Sequence, residues 1–422
     1  MFRNINIFLS FMLLTLSSPF SFGNTIVFTM ENALHQAYKL KAQGIALEIY
    51  KKYEKKAYAN YKPKVDVSVY QTMQKTEFTE RPSSISHSTN YTLSLKQNLY
   101  NGYYDTHAIE MAHTDVSIHS TEYERIEQTI MYDAIMAHLS VLRSKDLLLM
   151  QKQLLSQYKS LLSIASKKAF YGDENEQIEL QSRYYQAKLK YLELGETFDL
   201  NRLKYKRLTG MNSKKLKSDM KVHSALIVPP SRANLSQINP ILLKNILEVE
   251  KADSQIKRDR SNFLPKVDIE LKAYKAEPLA QLSYSTQNQY SATLNLNYNL
   301  YNAHRDKLDD EINQLQKIKL ILEGDELNED IIFKYGDFYT KYIYSYKSDK
   351  IIKKYILGEK KKYKKYKEIF KLSSDKSLLD LLSTLTNLYH AKELHISNKH
   401  GQMAYYNNLL LLQSKLSLDN FK

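Results

Sequence analysis

The chain has 422 residues, of which 61 are Lys or Arg and 46 are Asp or Glu, so its formal net charge is +15. It contains no cysteine, which excludes disulfide bonds, thiolate metal sites and a cysteine-borne lipid anchor. Only 10 Gly and 8 Pro interrupt the chain, and this scarcity favours a few long elements over many short ones.

The first 23 residues have the features of a secretory signal peptide. Arg3 supplies a basic start, residues 5–16 are mostly apolar, and small residues end at Gly23. An uncleaved anchor would need about 20 apolar residues, and the polar residues from Ser17 onward come too early for it. We therefore expect cleavage after Gly23 and export. Because exported proteins rarely meet nucleic acid, we interpret the basic excess as solvated surface and expect no nucleic acid partner.

The mature chain is predicted to contain two copies of one unit. Residues 63–66 read PKVD and so do residues 265–268, an offset of 202; residues 98–101 read NLYN and so do residues 299–302, an offset of 201. Repeats at nearly one offset indicate a duplicated architecture. The predicted division is a signal peptide at 1–23, a first repeat at 24–210, a linker at 211–237 and a second repeat at 238–422.

Each copy is expected to open with a helix and continue as a β-hairpin. The helical segments, 31–60 and 241–262, end before a proline, which disfavours helix in its predecessor. Alternation of apolar and polar residues then indicates half-buried strands, around polar loops at 76–90 and 275–289. The residues assigned to the apolar strand face are Val65, Val67, Val69, Leu93, Leu95, Val267, Ile269, Leu271, Leu294 and Leu296.

Each hairpin leads into a very long helix. Residues 104–170 contain neither Pro nor Gly and would span roughly 100 Å as a helix. A stripe with seven-residue spacing predicts left-handed coiled-coil packing, and it consists of Val141, Leu148, Leu155 and Leu162. Residues 306–370 repeat this pattern. Both long helices end at polar breaks, and returning helices are predicted at 176–208 and 377–416.

Two amphipathic hairpins cannot close a membrane barrel, because such barrels need at least about 8 strands and tolerate no open edge in lipid. Two chains would supply eight strands and three would supply twelve. The alternative is a soluble protein whose hairpins bury their apolar face against helices. The strand pattern alone leaves both interpretations open.

Short segments in both copies resemble the TolC family of outer-membrane channels, and the likeness covers nearly the whole mature chain. Residues 263–267 (FLPKV), preceded by Asn239 and Pro240, resemble the helix-to-strand entry of that family. Residues 95–102 (LKQNLYNG) resemble its strand-to-helix exit, and residues 203–210 (LKYKRLTG) resemble the end of its first half. Residues 377–382 (SLLDLL), followed by 388–392 (LYHAK), resemble the stretch after its second periplasmic turn.

The resemblance implies an α+β membrane protein that forms a homotrimer. Each chain would contribute four β-strands to a twelve-stranded barrel in outer-membrane lipid, continued by a long α-helical coiled-coil tunnel through the periplasm. The implied partners are a periplasmic adaptor (membrane fusion) protein and an inner-membrane transporter of the ABC or RND type. No cofactor and no enzymatic activity is implied. Residues 377–382 and the missing anchor cysteine favour type I protein secretion, with or without drug efflux.

The resemblance also implies a gated periplasmic entrance. Asp380 matches an acidic lumen position, Lys376 replaces an arginine that helps to lock the closed state, and Glu176 matches the aspartate that such a base would pair with. Ser383 stands where the family has a further aspartate, so the acidic ring has one carboxylate fewer. The turn residues expected to contact the adaptor are Gly172, Asp173, Ser374 and Asp375. The alternative is that these charges only solvate a turn.

No catalytic pattern is present. His107, His113 and His119 are six residues apart and do not share one helical face, and no HExxH spacing occurs, so we predict no metal site. The lysine-rich stretch 360–367 is interpreted as a solvated helix face near the tunnel end. The remaining alternative to a channel is a structural coiled-coil protein of the periplasm or cell surface.

Overall fold

The computed structural model describes residues 25–80, 82–168, 174–213, 216, 232–278, 287–372 and 378–421. The predicted signal peptide lies outside these ranges. The helices are α1 (Ile26–Gln36), α2 (Tyr38–Tyr58), α3 (Tyr104–Lys168), α4 (Glu174–Thr209), α5 (Arg232–Ile238), α6 (Pro240–Asp259), α7 (Arg305–Leu372) and α8 (Leu378–Leu412). The strands are β1 (Lys64–Thr76), β2 (Ser84–Tyr100), β3 (Lys266–Pro278) and β4 (Gln287–Asn297).

The strands form one antiparallel sheet in the order β1-β2-β3-β4, which leaves β1 and β4 at its edges. The strands extend further than the sequence predicts, because the first polar loop was placed at 76–90 but β2 already begins at Ser84. Polar residues such as Thr72 and Ser88 lie opposite each other there. The backbone ladder continues through them because strand pairing does not need an apolar face.

The first helical segment is not one helix. It divides at Ala37, whose backbone is extended (φ −72°, ψ 94°), into α1 and α2. No Pro or Gly causes this break. Ile26, Met30 and Ala33 of α1 are buried where α1 packs against α3 and α4, whereas α2 buries only Leu40. The two helices therefore serve different packing surfaces, and tertiary contacts impose the break.

The Asn239-Pro240 pair in the sequence marks the start of α6. The side-chain Oδ1 of Asn239 accepts a hydrogen bond from the backbone N–H of Ile241 at 3.0 Å, and Pro240 occupies the first helical turn. Asn satisfies a backbone donor that the helix itself cannot pair, and Pro has no N–H to leave unpaired. This local chemistry begins α6 directly after α5.

The helices lie side by side in two tiers. Near the sheet, α3 lies between α2 and α6, and α6 also contacts α7. Further from the sheet, α3 lies between α4 and α8, and α8 packs along α7. One lateral edge is therefore formed by α2 and α4, and the other by α7. Within the described part of the chain, each edge is open.

The buried stripe of α3 differs from the predicted one. Val141 of the predicted stripe is buried, but Leu148, Leu155 and Leu162 are only partly buried. The stripe that is buried also recurs every seven residues and consists of Ser144, Gln151, Tyr158 and Ala165. Two of its members are polar, and both have partners. The amide of Gln151 donates to the carbonyl of Ala187 at 2.9 Å, and Ser144 Oγ donates to the carbonyl of Ser140 at 2.8 Å. A search for apolar residues alone passes over such positions.

Candidate functional site: the sheet surfaces and the far helix ends

The ten apolar residues predicted to share a strand face do so. Cross-strand partners point to the same side, and the register places Val65 opposite Leu95, and Leu95 opposite Leu271. In the second hairpin, Ile269 lies opposite Leu294. This face is exposed rather than packed against helices: Val67 is 71% exposed and Leu296 is 69% exposed. The alternative in which helices bury the apolar strand face therefore does not apply to this chain.

The opposite face of the sheet is polar and charged. Asp66 lies opposite Ser94, and Lys272 continues the same row on β3. Lys96 Nζ lies 3.6 Å from Asp268 Oδ2, which also accepts a hydrogen bond from Asn295 at 3.1 Å. One sheet thus separates an apolar surface from a hydrated one, as a wall between lipid and water requires.

Two of the predicted entrance residues, Glu176 and Asp380, lie at the helix ends furthest from the sheet. Glu176 is in the first turn of α4, and its Oε2 accepts a hydrogen bond from the backbone N–H of Leu378 at 3.3 Å, at the start of α8. Asp380 is in the first turn of α8 and is exposed. The structure therefore brings the beginnings of the two returning helices together. The other entrance residues, Lys376, Gly172, Asp173, Ser374 and Asp375, lie outside the described residues.

The leucines around Asp380 form a core. Leu378, Leu381, Leu382 and Leu385 are at most 2% exposed and pack with Leu161 and Leu180 of α3 and α4. Only Leu379 faces outward. The segment that resembles the type I secretion branch thus holds four helices together at this end, a role that explains its leucines without reference to cargo.

A polar contact that the sequence did not reveal joins three helices beside this core. Thr386 Oγ1 of α8 accepts a hydrogen bond from Arg183 Nη1 of α4 at 3.3 Å, and it lies 3.5 Å from the hydroxyl of Tyr158 on α3. Residue types this common carry no signal in a single sequence. Together with Glu176, these residues link the two helical hairpins at their far end.

The lysine-rich stretch 360–367 is exposed only in part. Tyr363 is buried, and its hydroxyl donates to Gln157 Oε1 of α3 at 3.1 Å, while Lys367 Nζ donates to the same oxygen at 3.3 Å. Burial raises the pKa of Tyr363 to about 12, with smaller contributions from Tyr389 and Tyr158. The remaining lysines from Lys360 to Lys365 face solvent, as predicted.

The three histidines spaced six residues apart have separate environments. His107 Nδ1 is 2.8 Å from Glu110, His113 Nδ1 is 2.9 Å from Glu54, and His119 stacks on the ring of Tyr50. Within the ranges that the structure describes, no three His, Asp or Glu residues are grouped as metal ligands would be. In the same ranges no helix combines the length and the apolarity that crossing a bilayer requires.

A buried carboxylate stabilises the junction between β2 and α3. Asp105 is 5% exposed, and its two oxygens accept hydrogen bonds from the side-chain amides of Asn60 (3.0 Å), Asn98 (2.9 Å) and Asn101 (2.6 Å). Three neutral donors satisfy the carboxylate, which a buried anion requires. We name this group the Asp105 cage; sequence reasoning missed it because its members are up to 45 residues apart.

No protein-family model matches this chain, and no curated protein matches it. Solved structures do. CusC matches with a TM-score of 0.83 at 10% identity, covering 93% of this chain and 92% of that one. The open state of the MtrE outer membrane channel of Neisseria gonorrhoeae matches with a TM-score of 0.81 at 13% identity, covering 92% and 88%. VceC, an outer membrane protein of Vibrio cholerae, matches with a TM-score of 0.81 at 12% identity, covering 92% and 96%.

At these identities the likeness is one of fold. The chain has the fold of the TolC-type outer-membrane channels, and the predicted architecture of long paired helices with four β-strands is confirmed. Proteins with this fold are described as channels, in agreement with the prediction of a channel rather than an enzyme.

Proposed function

We propose that this chain is the outer-membrane channel of a bacterial export system and that it works as a homotrimer. The observation that carries the proposal is the sheet, which exposes an apolar face and a polar face and leaves both outer strands unpaired. An exposed apolar face is unfavourable in water but suits lipid. Unpaired strand edges cannot enter lipid, so further chains must cover them.

The strand lengths support a membrane location. A barrel strand needs about 9–11 residues to cross the hydrocarbon layer at the usual tilt. The strands here have 11 to 17 residues, which leaves room for a polar rim beyond the lipid. The residues proposed to face lipid are the ten of the apolar face, from Val65 to Leu296.

The number of chains follows from the pore. Each chain supplies four strands, so two chains would make eight and three would make twelve. The interior of an eight-stranded barrel is filled by side chains, whereas larger barrels enclose a channel. Three chains are therefore the smallest ring with a lumen, and the polar face that includes Asp66 and Lys272 would line it.

The helices would continue the lumen into the periplasm. α3 has 65 residues and α7 has 68, so each is roughly 100 Å long. We propose that residues 1–23 are a cleaved signal peptide that directs the chain to the outer membrane. The repeats at 24–210 and 238–422, joined through 211–237, would each contribute one hairpin to the barrel and one helical pair to the tunnel.

We further propose that the far helix ends form a gated entrance that contains Glu176, Lys376 and Asp380. Support comes from the position of Glu176, which contacts the chain two residues after Lys376. The turns with Gly172, Asp173, Ser374 and Asp375 would meet a periplasmic adaptor, itself bound to an ABC or RND transporter. Among cargo classes we favour protein secretion of the type I kind, with drug efflux as a second use of the same channel.

The test is the current through purified protein in planar bilayers. We expect detergent-extracted trimers that conduct small closed-state currents, and larger currents in Lys376→Ala. Lys361→Ala is the matched control, because it removes a solvent-facing lysine from the last part of α7, the helix that precedes Lys376. If Lys376→Ala leaves the current unchanged, the proposed pore stands but the proposed lock at Lys376 is wrong. Protein that stays in solution without detergent and forms no pore would overturn the proposal and leave the structural coiled-coil alternative.

A further inference from the structure

The two hairpins of the chain have the same register. Lys64 lies opposite Lys96 in the first hairpin, and Lys266 lies opposite Asn297 in the second. These positions differ by 202 and 201 residues, the offsets at which the sequence repeats. β1 therefore corresponds to β3 over its whole length, and residues 86–96 of β2 correspond to β4.

The contact between β2 and β3 is the contact between the two repeats. It is antiparallel, with Leu95 opposite Leu271 and Asn98 opposite Asp268, and an irregularity then brings Tyr100 opposite Val267. The free strand β4 is the equivalent of β2, and the free strand β1 is the equivalent of β3. A ring of identical chains would repeat this contact between neighbours, because it joins the end of one repeat to the beginning of the next.

The second strand-to-helix junction is unfinished in the single chain. The repeat places Asn262, Asn299, Asn302 and Asp306 at the positions of Asn60, Asn98, Asn101 and Asp105. Of the three amides, only that of Asn302 contacts Asp306, at 3.4 Å. Asn262 instead accepts from Lys266 Nζ at 3.3 Å, and Asn299 accepts from the backbone N–H of Tyr301 at 3.3 Å.

The difference between the two junctions has a structural cause. β2 continues to Tyr100 because β3 pairs with its final residues, whereas no described strand lies beside β4 on that side, and β4 ends at Asn297. The turns that follow are alike, with left-handed backbone at Gly102 (φ 67°) and at its equivalent Ala303 (φ 47°). What the second junction lacks is the neighbouring strand.

We infer that β4 pairs with β1 of the next copy in the register of β2 with β3, opposing Leu296 to Val69 and Asn299 to Asp66, and that this pairing completes a second amide cage around Asp306. The inference rests on the proposed trimer. The added strand extends β4 to Tyr301, and Asn299 is then aligned with Asp306 as Asn98 is with Asp105. Assembly and the strand-to-helix junction are thereby coupled.

The helices beside these strands have complementary charge. α2, at one open edge, contains six Lys and two Glu. The first 26 residues of α7, at the other edge, contain four basic and nine acidic residues. Inside the chain, Ser254 of α6 donates to Glu110 of α3 at 3.5 Å, and the equivalents of these two residues are Lys52 and Glu311. The same register thus brings a lysine of one copy to a glutamate of the next, which favours a second copy as the occupant of this edge.

Disulfide trapping tests the register directly, because the natural chain contains no cysteine. We would combine Leu296→Cys with Val69→Cys, and separately Asn295→Cys with Tyr70→Cys. Directly opposed antiparallel residues have Cα atoms about 4.5–5.5 Å apart, within disulfide range. Oxidation in the membrane should convert most chains into covalent trimers. The control, Leu296→Cys with Val67→Cys, is displaced by two residues, about 7 Å, and should leave monomers.

The outcomes separate this inference from the proposed function. If the displaced cysteine pair forms covalent trimers and the predicted pairs do not, the inferred register is wrong but the proposed trimer is supported. Absence of trimers from uncrosslinked protein would overturn the proposed function itself.

The second amide cage has its own test. Asp306→Asn should lower the temperature at which the trimer dissociates on gels and leave the helical content unchanged, whereas the exposed Asp309→Asn should not. Equal behaviour of these two variants would overturn the second cage.

Discussion

Glu176 and Leu378 are 202 residues apart in the chain, and the carboxylate of the first accepts a hydrogen bond from the backbone N–H of the second at 3.3 Å. Glu176 lies in the first turn of α4, and Leu378 is the first residue of α8. Helix N-termini carry unpaired N–H groups and partial positive charge, which favour a carboxylate. One side chain therefore serves the beginnings of both returning helices.

Replacing Glu176 by Ala should loosen the start of α8. Loss of such a cap costs about 0.5–2 kcal/mol, and the cost should fall on the contact between the two helical hairpins. We expect faster hydrogen exchange at the first turn of α8 and a larger closed-state current in bilayers. Glu174→Ala is the control, since Glu174 is in the same turn of α4 but is exposed. If both variants exchange and conduct alike, Glu176 has no special role at the entrance.

Gly102 should tolerate no side chain. Its φ is +67°, and a Cβ would lie 2.8 Å from the carbonyl oxygen of Ser261 and 2.9 Å from Leu264 Cβ. Gly102→Ala should therefore lower the free energy of unfolding by about 1–3 kcal/mol, measured by thermal or denaturant unfolding. Gly195→Ala in α4 provides the contrast, because nothing lies within 4 Å and Ala is the better helix former by ~1 kcal/mol. Equal destabilisation by both changes would contradict the close approach at Gly102.

A charge exchange tests the helical part of the subunit contact. Lys52→Glu alone and Glu311→Lys alone should each place like charges together and weaken the trimer. The double variant restores opposite charges and should recover most of the loss. An exposed ion pair contributes at most about 1 kcal/mol, so dissociation should be compared at low salt, where screening is weakest. Additive effects in the double variant would show that the two residues do not meet.

His119 should make the contact between α2 and α3 sensitive to acid. Its ring stacks on Tyr50 with centroids 3.6 Å apart, and burial lowers its pKa below the ordinary value of 6.5, with smaller opposing and supporting effects from nearby charges. A lowered folded-state pKa means that the neutral ring is favoured. Its contribution is complete above about 6.5 and is lost as the pH falls through the folded-state value.

The corresponding measurement compares unfolding midpoints of wild type and His119→Phe between pH 7.5 and pH 5. Phe keeps an aromatic ring against Tyr50 and cannot be protonated, so the midpoint of the variant should fall less on acidification. His35→Phe is the control, because His35 lies on the exposed side of α1. If the unfolding midpoints of wild type and His119→Phe fall equally with pH, protonation of His119 is not the cause of the acid sensitivity.

The strand faces and the long helices could be predicted because they depend on local patterns. Alternation along 65–69 and 93–95 placed the apolar residues of these segments on one face, and the register of the sheet agrees. The position of the buried stripe in α3 could not be predicted this way. Leu148 looked like a core residue, yet Gln151 is the more deeply buried, because α4 supplies a carbonyl partner for its amide.

The candidate entrance shows the same division. Similarity of short segments selected Glu176 and Asp380, but it did not predict that Glu176 binds the backbone at Leu378 or that Arg183 and Tyr158 meet at Thr386. Those contacts join residues more than 200 positions apart. Nothing in the local sequence distinguishes them from ordinary surface residues of a helix.

By itself the sequence determined the amphipathic strands and the uninterrupted helices, because periodicity and the scarcity of Gly and Pro act over a few neighbouring residues. Only the tertiary structure decided the sheet order, the break at Ala37 and the completion of the cage at Asp105 but not at Asp306. Each of these depends on which distant segment supplies a packing surface or a hydrogen-bond partner. A pattern along one segment contains no information about that partner.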